Sequence, residues 1–108
     1  MAYSTLLQNR IEATGLVSDL AIKKMFGGIC YLAGGKMALG VYQDFLILRL
    51  GVEDARDALL GSDHVLPFNI TGKTMKGWVM VDPTGWQPEP SLIDYISRSI
   101  AFARTLSP

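Results

Sequence analysis

The stretch Lys23-Lys24-Met25-Phe26-Gly27-Gly28 stands where a helical opening gives way to a run of alternating strands. Two lysines, two large apolar residues and two glycines in succession predict a strand entering a tight backbone feature. Adjacent glycines supply backbone angles that other residues avoid, or let a second backbone come close, so a bulge or a close crossing is expected at Gly27-Gly28. Upstream, residues 3–14 have helical spacing. Ser4 or Thr5 can cap that helix, Leu7, Ile11 and Thr14 share a face with Tyr3, and Gly15 ends it. Asp19 to Ile22 reads as a short turn before the strands begin.

Downstream the apolar period drops from about 3.6 residues to 2. Lys24 to Phe26 leads into Gly28–Leu32, Gly34-Gly35 marks a hairpin, Met37–Tyr42 is the second strand, Gln43-Asp44 a turn and Phe45–Leu50 the third strand. Connections this short make the meander antiparallel. Met37, Leu39 and Val41 fall on one side of their strand, and Ala38, Gly40 and Tyr42 on the other. Arg49 is expected to point to solvent or to a carboxylate, because an unpaired buried guanidinium is costly. Glu53–Leu60 reads as a short helix and Asp63-His64 as loop. Val65–Ile70, interrupted by Pro67, is an edge strand or an irregular segment. Met75–Val81 is a last strand and Asp82–Gly85 a turn. Pro88 and Pro90 are expected to keep their stretch out of a helix, leaving Ser91 to cap a final one whose apolar face is Leu92, Ile96, Ile100 and Ala103.

The sum is a helix, a three-strand meander, a short helix, two strands and a helix. Helices gathered on one face of an antiparallel sheet make an α+β, two-layer domain. The other face is expected to carry Tyr31, Ala38, Tyr42 and Trp78. Left uncovered, such a face is more apolar than a monomer usually shows and points to a partner or a dimer.

Composition bounds the function. The 108 residues make one domain, 49% apolar and 19% charged. Ten basic residues balance ten acidic ones, which disfavours a strongly basic nucleic-acid binder or a polybasic membrane binder while leaving room for a local patch. Cys30 is the one cysteine, so no internal disulfide is possible and a reduced, cytoplasmic setting is expected. Neither a signal peptide nor a membrane span is predicted.

Chemistry-bearing residues are sparse. His64 is the one histidine; beside Asp63 in a polar loop, with no nucleophile identifiable nearby, it reads as a surface residue. A zinc site needs about four ligands, and one Cys and one His at unrelated places do not supply them. No metal or cofactor is expected, and no enzymatic activity; a pocket lined by Asp63, His64 and Arg49 would be the observation in an enzyme's favour. Gly72-Lys73-Thr74 lacks the preceding glycine of a phosphate-binding loop. The one constellation of interest is basic and aromatic: Lys23, Lys24, Lys73 and Lys76 frame Phe26 and Trp78. Brought together by the strands through Met25 and Met75, they would form a patch for an acidic partner or for single-stranded nucleic acid. The alternative is edge-strand lysines that discourage aggregation, with the tryptophan packed in the core.

Three blocks also carry a resemblance. Lys24-Met25-Phe26-Gly27-Gly28, then Gly35-Lys36-Met37-Ala38-Leu39, then Phe68 with Gly72-Lys73-Thr74-Met75-Lys76-Gly77-Trp78 together resemble the N-terminal domain of the TfoX/Sxy competence-regulator family. The likeness covers nearly the whole chain. It implies a fold similar to type III secretion chaperones and YjbR-like proteins, and a small cytoplasmic bacterial protein. In full-length regulators this domain accompanies a C-terminal helical domain and helps switch on DNA-uptake genes alongside a transcription activator. This sequence ends at Pro108, just after the last helix, and is expected to be a stand-alone member. The signature residues Met25, Phe26, Gly27, Gly28, Gly72, Met75 and Gly77 imply no catalytic role and can be read as specifying the fold. The expectation is a non-enzymatic regulatory or protein-binding module with a protein partner, such as a transcription activator, or a second copy of itself. Nucleic-acid contact through the lysines is the alternative.

Overall fold

Ser4 opens the first helix as the sequence requires: its hydroxyl accepts the Leu7 N–H at 3.1 Å. Helix α1 spans Thr5–Ala13 and buries Leu7 and Ile11. The computed structural model describes residues 3–25, 27–69 and 72–106. After a turn at residues 16–19 the chain enters strands β1 (Ala21–Met25), β2 (Gly28–Ala33), β3 (Lys36–Tyr42) and β4 (Phe45–Arg49). Helix α2 (Val52–Gly61), strands β5 (Val65–Pro67) and β6 (Trp78–Val81), and helices α3 (Pro83–Trp86) and α4 (Glu89–Thr105) complete the order. The sheet is six-stranded with order β1-β2-β3-β4-β6-β5, and every neighbouring pair is antiparallel.

The helices pack on one face, giving the α+β architecture expected. Its core joins Leu7 and Ile11 of α1, Ala55 of α2, Trp86 of α3 and Leu92, Ile96, Ile100 and Ala103 of α4 to Ile29, Tyr31, Leu39, Val41, Leu46, Leu48, Val79 and Val81 of the sheet. The stripe on α4 is the one its sequence spacing gave. Among the described residues no helix is long and apolar enough to cross a membrane.

Several local expectations are corrected. The meander has four strands: Ala21–Met25 is a strand of its own, paired with β2 from Ala21↔Leu32 to Met25↔Gly28, so the turn ends before Ala21. Strand β6 starts only at Trp78, not at Met75, because Gly77, at φ +87°, bends the chain just before it. Phe26, Ile70 and Thr71 lie outside the described residues. Asp82–Gly85 is the start of a short helix, with the Asp82 carboxylate accepting the Gly85 N–H at 2.9 Å. Pro88 and Pro90 do not exclude the last helix. Pro88 is its N-cap and Pro90 sits in its first turn, where a missing N–H breaks no helical bond; Ser91 is therefore inside the helix, not its cap.

Tyr31 and Ala38 are on the helix side, not the open side: both are fully buried in the core. For Ala38 the cause is a bulge, whereas Tyr31 keeps the regular β2 alternation that also buries Ile29 and Ala33. The β2–β3 register slips between Tyr31↔Leu39 and Leu32↔Met37, so an extra β3 residue is accommodated and the alternation reverses there. Met37 consequently leaves the row of Leu39 and Val41 for the open face. Burial of Tyr31 is tolerable because its hydroxyl donates to Glu12 of α1 at 2.9 Å. Desolvation, reinforced by that bond, pushes the phenol above its ordinary range.

The glycines of the opening stretch act where β2 and β3 meet. A Cβ on Gly28 would collide with the Val41 carbonyl oxygen, and one on Gly40 would lie 2.6 Å from the Ile29 carbonyl oxygen. Gly28 thus marks the close backbone crossing expected at that pair, whereas Gly27 turns the hairpin at φ +74° and the bulge lies elsewhere. Gly28→Ala is expected to cost about 1–3 kcal/mol through forced backbone shift, lowering Tm by several degrees in thermal denaturation. Gly61→Ala, with nothing within 4 Å of the added methyl, should leave Tm level or slightly raised. Equal melting of the two variants would contradict the steric account.

Candidate functional site

The open face of the sheet is a groove. Strand alternation brings Met25 of β1, Gly28 and Cys30 of β2, Met37, Gly40 and Tyr42 of β3, Ile47 of β4 and Trp78 of β6 to this face, and the segment before β6 adds Phe68 and Met75. The cavity is about 220 Å³. The two glycines lower its floor where a side chain would fill it. Cys30 and Ile47 lie in that floor at 4% and 2% exposure. Methionines 25, 37 and 75 and the rings of Tyr42, Phe68 and Trp78 form the walls.

The walls are held from the β5–β6 connection. Met75 N–H donates to the Phe68 carbonyl at 2.9 Å, and Trp78 N–H to the Met75 carbonyl at 3.2 Å. The Gly77 carbonyl then accepts both Leu50 N–H at 2.8 Å and Gly51 N–H at 3.1 Å, pinning the segment to the end of β4. Phe68 and Trp78 stack with centroids 5.6 Å apart. The Arg49 guanidinium lies 5.1 Å from the Trp78 ring centroid and makes a long, 3.5 Å contact with the Met37 carbonyl. Arg49 is partly exposed on the open face, as the cost of burying a guanidinium requires, and it rests on an aromatic ring rather than on a carboxylate.

The sequence-predicted site residues fall partly together. Met25 and Met75 line one groove with Trp78, so the two lysine-bearing stretches do approach. Their lysines diverge. Lys23 and Lys24 are consecutive in an extended strand and leave it on opposite faces: Lys23 pairs with Cys30 of the groove floor, and Lys24 with Ile29 of the core side. Lys76 lines a separate hollow with Val52, Arg56 and Thr74. All four lysines are exposed, and Trp78 is half-buried. Phe26 lies outside the described residues. Gly72 takes φ +90° and Gly77 φ +87°, so these signature residues shape the connection that walls the groove.

Sequence reasoning placed Tyr42 on the open face, where it lines the groove, but missed Met37, Phe68 and Arg49 as members of the site. The methionine and aromatic content was visible, but their convergence depends on the bulge and on strand order. Titratable chemistry is thin here. Burial pushes the Cys30 thiol up, away from the thiolate form that reacts. Among the described residues no group of three or more His, Cys, Asp or Glu is placed to hold a metal ion. His64 is not beside Arg49: its Nδ1 donates to Asp82 Oδ2 at 3.0 Å, whereas Arg49 lies over Trp78.

Asp82 therefore serves two groups, the His64 ring and the first turn of α3. Burial by itself raises its carboxyl, but the hydrogen bonds from His64 and from backbone N–H groups outweigh that, and the group sits below its ordinary value of 3.8. With the folded value lowered, the stabilisation is complete above pH 3.8 and drains as pH falls through the folded value. Asp82→Asn keeps a capping oxygen but no charge. Urea midpoints measured from pH 6 down to pH 3 should fall less steeply in this variant than in the parent chain. Parallel slopes would mean the pairing carries no acid sensitivity.

Comparison with curated proteins and with solved structures gave no match. A family model, that of the TfoX N-terminal domain, matches residues 12–103. The span contains all six strands, and with them the whole groove. The chain belongs to the TfoX N-terminal domain family.

Proposed function

We propose that this chain is a non-enzymatic, regulatory protein-binding module that holds an apolar segment of a partner protein in the groove of its open sheet face. The observation that carries the reading is the wall composition. Three methionines and three aromatic rings surround a floor opened by Gly28 and Gly40. Methionine is flexible and polarizable, and it is over-used at surfaces that receive varied apolar partners. Aromatic rings supply rigid anchoring area at interfaces. The absence of a charged group among the lining residues suits capture by burial better than chemistry on a substrate. Family membership supports a regulatory setting in the bacterial cytoplasm, with a transcription activator as the first partner to test and a second copy of the chain as the competing occupant.

The test charges one wall. Met75 is 38% exposed, so Met75→Lys is tolerable to the fold while placing an ammonium group where an apolar segment would sit. Leu60 on α2, 81% exposed and on the helix side, provides Leu60→Lys as the control. Affinity capture from a bacterial extract, followed by titration with the purified captured protein, should show binding reduced about tenfold or more by Met75→Lys, a loss of about 1.4 kcal/mol, and unchanged by Leu60→Lys. Light scattering separates a second copy from a different partner. Equal capture by both variants would overturn the reading.

A further inference from the structure

We infer that the groove selects an acidic amphipathic segment, one in which a bulky apolar anchor is flanked by an aspartate or glutamate that reaches Arg49. This deepens the protein-binding reading and rests on it.

The inference starts from how the arginines are used. The chain has five. Arg10 pairs with Glu89, Arg56 with Asp57, Arg98 with Asp94 and Arg104 with Asp19. Arg49 alone has no carboxylate within ion-pair distance among the described residues, although all ten acidic side chains are described. It is also the arginine that stands beside the groove, over Trp78 and against the Met37 carbonyl. Its planar fork is built to take a carboxylate with two parallel hydrogen bonds. With the guanidinium over Trp78, Nη1 makes the long contact with the Met37 carbonyl, and its other donors have no carboxylate among the described residues to bind.

No aspartate or glutamate lines the groove, so nothing of the chain's own competes for the guanidinium there. Lys23 adds a second cation on the same face at the β1 end, opposite Cys30 in the register. Across a chain of zero net charge, this face is therefore locally basic around an apolar floor. Such a face complements a segment that is apolar at its anchor and acidic at its flanks, and it repels a basic amphipathic one.

A random peptide library displayed on phage, panned on the full chain, tests this directly. Enriched sequences should carry a large apolar or aromatic residue with Asp or Glu close by. Changing that acid to its amide in an enriched peptide should weaken binding about three- to tenfold on the parent chain and less than twofold on Arg49→Gln. On Arg49→Glu the acidic preference should disappear while the apolar anchor remains. Apolar anchors enriched without acidic bias, or the same acidic bias on Arg49→Gln and Arg49→Glu, would overturn the role of Arg49 and leave groove binding intact. Failure to enrich any peptide, or enriched peptides that bind Met75→Lys as tightly as the parent, would instead remove the groove reading and this inference with it. Both Arg49 variants are judged by their melting curves first; a half-exposed surface position makes the neutral variant the safer of the two.

Discussion

The structure depends on how closely β2 and β3 approach at Gly28 and Gly40. Their ladder places each glycine against a carbonyl of the other strand, with room for a hydrogen atom and not for a methyl group. This single steric constraint has two outcomes. It lets the central strands pair tightly under the α4 stripe, and it leaves a depression on the opposite side of the same sheet. Fold and groove are in this sense one feature seen from two faces. A signature glycine here needs no ligand to explain it, yet the space it leaves is what a ligand would use.

The second determinant is the connection between β5 and β6. Its end is clasped by the Gly77 carbonyl, which takes the N–H groups of both Leu50 and Gly51. That clasp sets where Met75 and Trp78 stand, and Trp78 in turn organises Phe68 and Arg49 around itself. Basic and apolar character are thereby joined in one wall: a cation rests on the ring that lines the groove. An arginine in this position is kept from the core while staying partly exposed at the rim.

Much of the scaffold was legible in the sequence because it is local. The capping hydroxyl of Ser4, the 3.6-residue stripe from Leu92 to Ala103 and the edge position forced by Pro67 each follow from a few neighbouring residues. The groove was not legible because it is non-local. Met25, Met37, Phe68 and Met75 come from well-separated stretches of chain, and Met37 joins them only because a bulge at Tyr31/Leu32 reverses the alternation. The same reversal sent Ala38 to the core against simple period-2 counting, whereas Tyr31 is there because it alternates in phase with Ile29 and Ala33. Pro88 and Pro90 misled for another reason: a proline forbids helix interior but not helix start, and residue type alone does not say which of the two a position is. His64 looked tied to its neighbour Asp63, whereas its partner Asp82 lies 18 residues away.

The two rims of the sheet are finished differently. β5 ends its short run at Pro67, which removes a backbone donor, and it stands beside α2. β1 is five residues long, is exposed on four of them, and carries Lys23 and Lys24. A proline blocks pairing whatever the solution contains, but a pair of ammonium groups does so only while their charge is unscreened and unanswered. One border of this protein is thus finished by a covalent ring and the other by charge.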